Sequence, residues 1–369
     1  MDYRFPKVDK ETNFYIKLTE DLYKKTLFPH VEIDEINIDK LLLIAVKDNA
    51  LYYVARKLLE YRSLDSITRK RLEAMVAKGD LELFKIKKTI EDIKKYINNY
   101  VIFKTYKGKN FPRIGNDIDV FVKYQDLYSL KDKFLANGYY LFVDFPKIEK
   151  AVLITKEGRK KIHLQSKIHW CWKEYLDEEL IWQNPRYVTY NGHTIPINNV
   201  NADFLIHIAH MNYEHPYFKL SELLYLFSIV PALDFDILLA QTKKYKWQNT
   251  FLRTLNLMNN IHQILYGEPL TNKVNFKKIE FTRLSFPLMF SRKHMIKATL
   301  EKKITYYLLA RMFKISRVLL TGETCSYTVP PERKYLTKDG KFLIRESAIR
   351  KAINLMRFRI FKLFDIFER

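Results

Sequence analysis

A chain of 369 residues, 47% of them hydrophobic, is long and apolar enough to bury two or three cores, which excludes disorder as its main state. Lys and Arg total 64 against 42 Asp and Glu, and the formal charge of +22 points to a polyanionic partner such as RNA, DNA or an anionic membrane surface. Only two cysteines, Cys171 and Cys325, are present, which excludes a disulfide framework or a zinc ribbon built from cysteine alone.

That cysteine usage fits a reducing cytoplasm. The start, Met1 to Pro6, has no charged region followed by an apolar one, and no run of 18 apolar residues occurs, so no integral membrane segment is expected. Residues 1–98 read as a helical region. Leu41, Leu42, Ala45, Val54, Ala55 and Leu58 recur at helical spacing between Ile38 and Tyr61, and a second helical run covers Ser66 to Asn98. The charges of that second run, Lys85, Lys88, Lys94 and Lys95 with Asp80, Glu82, Glu91 and Asp92, form a solvated face.

Residues 99–200 form a mixed α/β domain with a small sheet. Tyr100 to Tyr106 is its first strand, rich in β-branched and aromatic residues. A turn over Lys107 to Pro112 leads to a second strand beginning at Asp117, and a helix follows from Tyr124 to Asn137, closed by Gly138. Tyr139 to Asp144 is a third strand. Ala151 to Lys156 and Arg159 to Gln165 flank Glu157-Gly158 as a hairpin, in whose second arm Lys161, His163 and Gln165 share one face. Residues 201–274 read as a helical bundle, with runs at Asn201–Tyr213, Leu220–Ile229, Phe235–Lys244 and Trp247–Tyr266. Residues 275–369 are a basic helical region. Its last stretch, 345–369, interleaves Arg350, Lys351, Arg357, Arg359 and Lys362 with apolar residues and is suited to docking on its own protein, lying along RNA, or peripheral membrane contact.

Asp117 and Asp119 carry the chemistry. In a strand, side chains i and i+2 point the same way, so two carboxylates meet on one face. Such a pair repels itself unless a cation sits between, and Mg²⁺, which takes one or two carboxylates plus substrate phosphates, suits it. The same pattern also occurs where Asp only caps a turn at a strand start.

Several pieces taken together resemble a known family. Arg113-Ile-Gly-Asn-Asp117-Ile-Asp119-Val-Phe-Val122, the helix ending Asn137-Gly-Tyr139, the Ile162-His-Leu-Gln165 strand, Asp203-Phe-Leu-Ile-His207-Ile-Ala-His210, and Leu233-Asp-Phe-Asp-Ile-Leu238 stand in the order of an uncharacterised nucleotidyltransferase family. That family lies within the DNA polymerase beta-like superfamily, and the resemblance spans about residues 40–267. It implies an α+β fold: a minimal mixed sheet with N-terminal helices and a C-terminal helical domain. It also implies transfer of an NMP from an NTP to a hydroxyl, with Mg²⁺ held by Asp117 and Asp119. Lys104, Thr105, Arg113, Gly115 and Asn116 would then hold the nucleotide, helped by Lys107, Gly108 and Lys109.

Two departures from the family pattern stand out. Lys104-Thr105-Tyr106 occupies the place of a glycine-containing phosphate element, and the third carboxylate of the later strand is replaced by Lys161, His163 and Gln165. His163 is the stand-in, since an imidazole can ligate a metal or accept a proton, whereas Gln165 can only orient. Glu149 and Glu157 are expected in loops and are poorer candidates. His207 and His210 share a helix face and read as hydrogen-bonded packing residues; His215, His169 and Cys171 add no convincing zinc set. Glu222 reads as structural, and Trp170 and Trp172 as packing residues between domains.

Two functions follow, with a membrane-surface protein tethered by the C-terminal helix as a third reading. One is an enzyme acting on a macromolecular acceptor, with RNA, including a tRNA end, favoured by the charge. The other is a catalytically weak nucleotidyltransferase-fold protein that binds nucleic acid or a partner protein, as in a toxin–antitoxin pair.

Overall fold

The computed structural model describes residues 7–19, 32–104, 115, 117–145, 149–155, 160–170, 173–190, 192–213 and 217–274, with 277, 283–284, 288–289, 297–298 and 301. Ten α-helices are described within that range. They are α1 (Lys10–Leu18), α2 (Ile38–Lys47), α3 (Leu51–Leu58), α4 (Ser66–Tyr96), α5 (Tyr124–Ala136), α6 (Glu178–Trp182), α7 (Val200–Tyr213), α8 (Leu220–Ile229), α9 (Phe235–Lys244) and α10 (Gln248–Tyr266). The seven strands of the main sheet are β1 (Val101–Phe103), β2 (Asp117–Phe121), β3 (Tyr139–Phe145), β4 (Lys150–Thr155), β5 (Lys161–Gln165), β6 (Arg186–Tyr190) and β7 (His193–Ile197). The architecture is α+β, as the resemblance implies.

Sheet order is β3-β4-β5-β2-β1-β7-β6. Two of its pairings are parallel, β2 with β5 and β1 with β7, and the rest are antiparallel. Strand alternation splits its residues between two cores. Ile102, Ile118, Val120, Ile162 and Leu164 pack with Ile86, Ile90 and Ile93 of α4 and Leu127, Leu130 and Phe134 of α5. Val101, Phe103 and Phe121 belong to the larger core formed by α1–α3 and α6–α10. The acids of β2 therefore lie on the face that, farther along the same strands, packs against that helical layer.

Local chemistry accounts for the helix limits. Asp65 caps α4 by accepting from Ile67 N and Thr68 N at 2.9 and 2.8 Å. Gly267, at φ 75°, closes α10 in the left-handed region. No side chain of residue 247 caps the start of α10; Glu301 does so from a distance, accepting from Asn249 N at 2.8 Å and Thr250 N at 2.7 Å. The helix expected from Ile38 to Tyr61 is two helices. The chain turns at Asp48-Asn49-Ala50 with Asn49 at φ 57°, and buried Asp48 accepts from Tyr15 Oη and, at 2.9 Å, from Ser221 N at the start of α8. A polar residue inside an apolar period here serves another element, so periodicity alone reads through the break.

The hairpin β6–β7, the short helix α6 and the two-residue strands His169–Trp170, Lys173–Glu174 and Tyr217–Phe218 were not expected from the sequence; the other strands of the main sheet and the helices α5 and α7–α10 fall within a few residues of their expected positions. Lys107 to Pro112, Glu157-Gly158 and the basic stretch 345–369 lie outside the described residues. Among the described residues no single helix is long and apolar enough to cross a membrane.

Candidate active site

The parallel pairing of β2 with β5 places Asp117 beside Lys161 and Asp119 beside His163. Cross-strand neighbours share a face, so the imidazole enters the space of the two carboxylates. Its Nε2 stands 3.4 Å from Asp117 Oδ2 and its Nδ1 3.3 Å from Asp119 Oδ1. Asp117 is more open, with 41% of its side chain exposed against 12% for Asp119.

On the other side of β2, β1 brings Phe103 opposite Asp119. The chain then leaves the sheet through Lys104, whose φ of 59° is rare for a residue with a side chain. This bend sends the Lys104 ammonium to 3.6 Å from Asp119 Oδ2. Lys150 joins from β4, in register with Gln165, which itself pairs with Phe121. Burial raises the Asp119 carboxyl, but the charge of Lys104, a hydrogen bond from His163 and the charge of Lys150 outweigh it and hold the group well below the usual carboxylate range.

One oxygen of this pair decides whether a cation fits. Asp119 Oδ1 is buried, with His163 Nδ1 3.3 Å away. A desolvated carboxylate oxygen beside a second, water-facing carboxylate on the same strand face matches the hard oxygen donors that Mg²⁺ takes. Among the described residues no group of three His, Cys, Asp or Glu side chains is arranged to hold a metal ion. A cation at this place would have Asp117 and Asp119 as its side-chain donors.

Residues 108–263 match the model of a family described as uncharacterised nucleotidyltransferase. The matched segment carries Asp117, Asp119 and His163. A solved structure to which the chain is similar is the lincosamide antibiotic adenylyltransferase LnuA, lincomycin-bound; identity is 18%, the match covers 34% of this chain and 84% of that chain, and the TM-score is 0.26. No curated protein matches the chain.

Of the residues expected to hold a nucleotide, Lys104 reaches the carboxylate pair directly. Gly115 lies just before β2, where an added Cβ would stand 3.3 Å from Asp117 O. Thr105, Arg113 and Asn116 lie outside the described residues. So do His215, Cys171 and Trp172. Glu149 is not at the nucleotidyltransferase acids: it bonds Ser166 Oγ and pairs with Lys167 Nζ at 3.0 Å. Of the histidines of α7, His207 is fully buried with Nδ1 2.5 Å from Glu222 Oε1, and His210 is half-buried. Around them Arg186 binds Asp203 Oδ2 at 2.8 Å, and Tyr225 donates to the same oxygen. Lys150 was missed by sequence reasoning. Its signal was present in the alternation of β4, which puts Lys150, Val152 and Ile154 on one face, but the partner of that face depends on a strand pairing that no local pattern prints.

Proposed function

We propose that the chain is a Mg²⁺-dependent nucleotidyltransferase that moves an NMP from an NTP to a hydroxyl of a macromolecular acceptor, with RNA, tRNA ends included, as the favoured class. The observation that carries this reading is the buried Asp119 carboxylate beside the water-facing Asp117 carboxylate on one strand face, with His163 between them. Such a reaction asks for in-line positioning and charge neutralisation more than covalent chemistry by the protein. Mg²⁺, held by Asp117 and Asp119, supplies neutralisation at the phosphoryl oxygens when bound. Lys104 and Lys150 offer positive charge to the triphosphate from the two flanks of the acid strand. His163, in the position of the family's third carboxylate, accepts the proton of the attacking hydroxyl. The hydroxyl oxygen forms the new bond to the α-phosphorus as the bond from that phosphorus to the bridging oxygen of the leaving group breaks, and pyrophosphate leaves. The +22 charge of the chain supports a polyanionic acceptor over a small neutral one.

A second reading, the catalytically weak binding protein, is favoured by one observation: the Lys104 ammonium already lies 3.6 Å from Asp119 and serves as an internal counter-charge. One experiment separates the two. The full chain is incubated with Mg²⁺ and α-labelled NTPs against total RNA, protein and small acceptors. The enzyme reading expects label on a macromolecule, strongest on RNA, and a loss of at least about 100-fold in Asp117→Ala or Asp119→Ala, the scale of removing an electrostatic stabiliser of the transition state. Equal labelling by the double alanine variant contradicts it, and RNA binding without labelling favours the second reading.

A further inference from the structure

The longest of the described helices has one side committed to its own protein and another that is built as a seam. Along α4, Leu72, Gly79, Ile86 and Ile93 recur every seven residues and are buried against the rest of the chain. Written as a heptad with these at f, the opposite side carries Ile67, Ala74, Leu81 and Lys88 at a, and Lys70, Ala77 and Phe84 at d. Ile67 is 79% exposed, Leu81 55% and Phe84 56%, and Ala74 and Ala77 are exposed between them. Single exposed apolar residues need no explanation, but apolar a/d positions recurring from 67 to 84 with Lys70 among them, roughly 27 Å of helix, are the pattern of a coiled-coil strand.

The flanking charges say what lies across the seam. Positions e are Arg71, Lys78 and Lys85, all basic; the first two g positions are Glu73 and Asp80, both acidic. In a parallel pair, g of one helix faces e of the next heptad on its partner, so Glu73 meets Lys78 and Asp80 meets Lys85 of a second copy. In an antiparallel pair e faces e and g faces g, which sets like charges against each other. Asp80 and Lys85 also have partners within the chain, Tyr52 Oη at 2.7 Å and Glu82 at 2.7 Å, so direction rests most on Glu73 with Lys78. Lys88, with its ammonium 5.8 Å from the Phe84 ring, closes the far end. We infer that α4 pairs in parallel with α4 of a second copy of this chain, through the Ile67-Ala74-Ala77-Leu81-Phe84 stripe.

Two alanines in a three-heptad core make this a reversible dimer. Sedimentation of the full chain from micromolar to hundred-micromolar concentration is expected to show a monomer–dimer equilibrium, with the dissociation constant raised at least about 100-fold by Leu81→Glu with Phe84→Glu. Thermal unfolding reports whether that variant is folded; because the positions are exposed, its midpoint should track that of the wild-type monomer. Direction is read by oxidising Lys70→Cys in a Cys171→Ser, Cys325→Ser background: residue 70 meets itself only in the parallel pair, so an intermolecular disulfide is expected. A chain that stays monomeric at every concentration overturns the inference, whether the stripe is then covered by residues 302–369 or by another protein. A dimer unaffected by the two glutamates overturns it as well, and a dimer without the residue-70 crosslink overturns its parallel direction.

Discussion

Asp119 sits among Lys104, His163 and Lys150, so its surroundings favour the ionised form despite burial. The two acids were legible because strand geometry fixes i and i+2 on one side. Their neighbours were legible only in part. That His163 shares a face with Lys161 and Gln165 follows from alternation, but that this face meets Asp117 and Asp119 depends on a parallel pairing across an intervening helix and two strands. Lys104 was found through its place after the first strand, whereas the φ of 59° that turns it back onto Asp119 has no signature in a lysine. A different single pair shows a charge effect that can be measured without substrate. Glu82 of α4 accepts from the buried Lys160 and from Lys85, and these hydrogen bonds lower its carboxyl below the ordinary value. A depressed folded pKa contributes stability that is present above the unfolded value, about 4.3, and is lost as pH falls through the folded one. Glu82→Gln is therefore expected to cost about 1–3 kcal/mol in urea unfolding at neutral pH, the scale of a hydrogen bond to a charged group. The gap to wild type should shrink as pH drops below about 4; a gap that stays constant to pH 3 would contradict this role (~3, well under the unfolded value).

At the level of elements, α4 joins the N-terminal helices to the sheet, and its contact with α3 depends on a residue without a side chain. A Cβ at Gly79 would lie 2.0 Å from Tyr52 Cδ2, so the two helices approach through this gap. Tyr52 is further held by its hydroxyl on Asp80 at 2.7 Å. Gly79→Ala gains helix propensity but forces the ring to move; overpacking of this kind costs roughly 1–3 kcal/mol and is expected to win over the smaller propensity gain of about 1 kcal/mol. A stabilised variant in thermal unfolding would show that Tyr52 has room to shift. The sequence disclosed α4 almost to its ends because a long amphipathic run with an Asp cap has few other solutions. The hairpin β6–β7 was hidden for the opposite reason: β6 is the edge strand, and Tyr187, Thr189 and Thr194 face solvent rather than a core. Gly192, at φ 78°, marks its turn, and is the local sign that a hairpin was there.

For the molecule as a whole, one sheet serves two cores and leaves its acids where a face passes from open to packed. Phe121, two residues beyond Asp119, has its ring 5.5 Å from that of Trp182, and that end of the face is covered by the helical layer. The helical character of both flanking regions could be read from periodicity. The way in which α1 and α8 meet through Asp48 could not, because Tyr15, Asp48 and Ser221 are far apart in the chain and each is unremarkable where it stands. The measurement that bears most directly on the site is equilibrium binding of a non-hydrolysable NTP to the full chain with and without Mg²⁺, for wild type and Asp119→Asn, a substitution that keeps shape and removes charge. Metal-dependent binding in the wild type, weakened at least about tenfold in Asp119→Asn, is the expected result, equivalent to about 1.4 kcal/mol. Nucleotide affinity that is the same with Mg²⁺, with chelator and in Asp119→Asn would contradict a metal-assisted nucleotide site at Asp117 and Asp119.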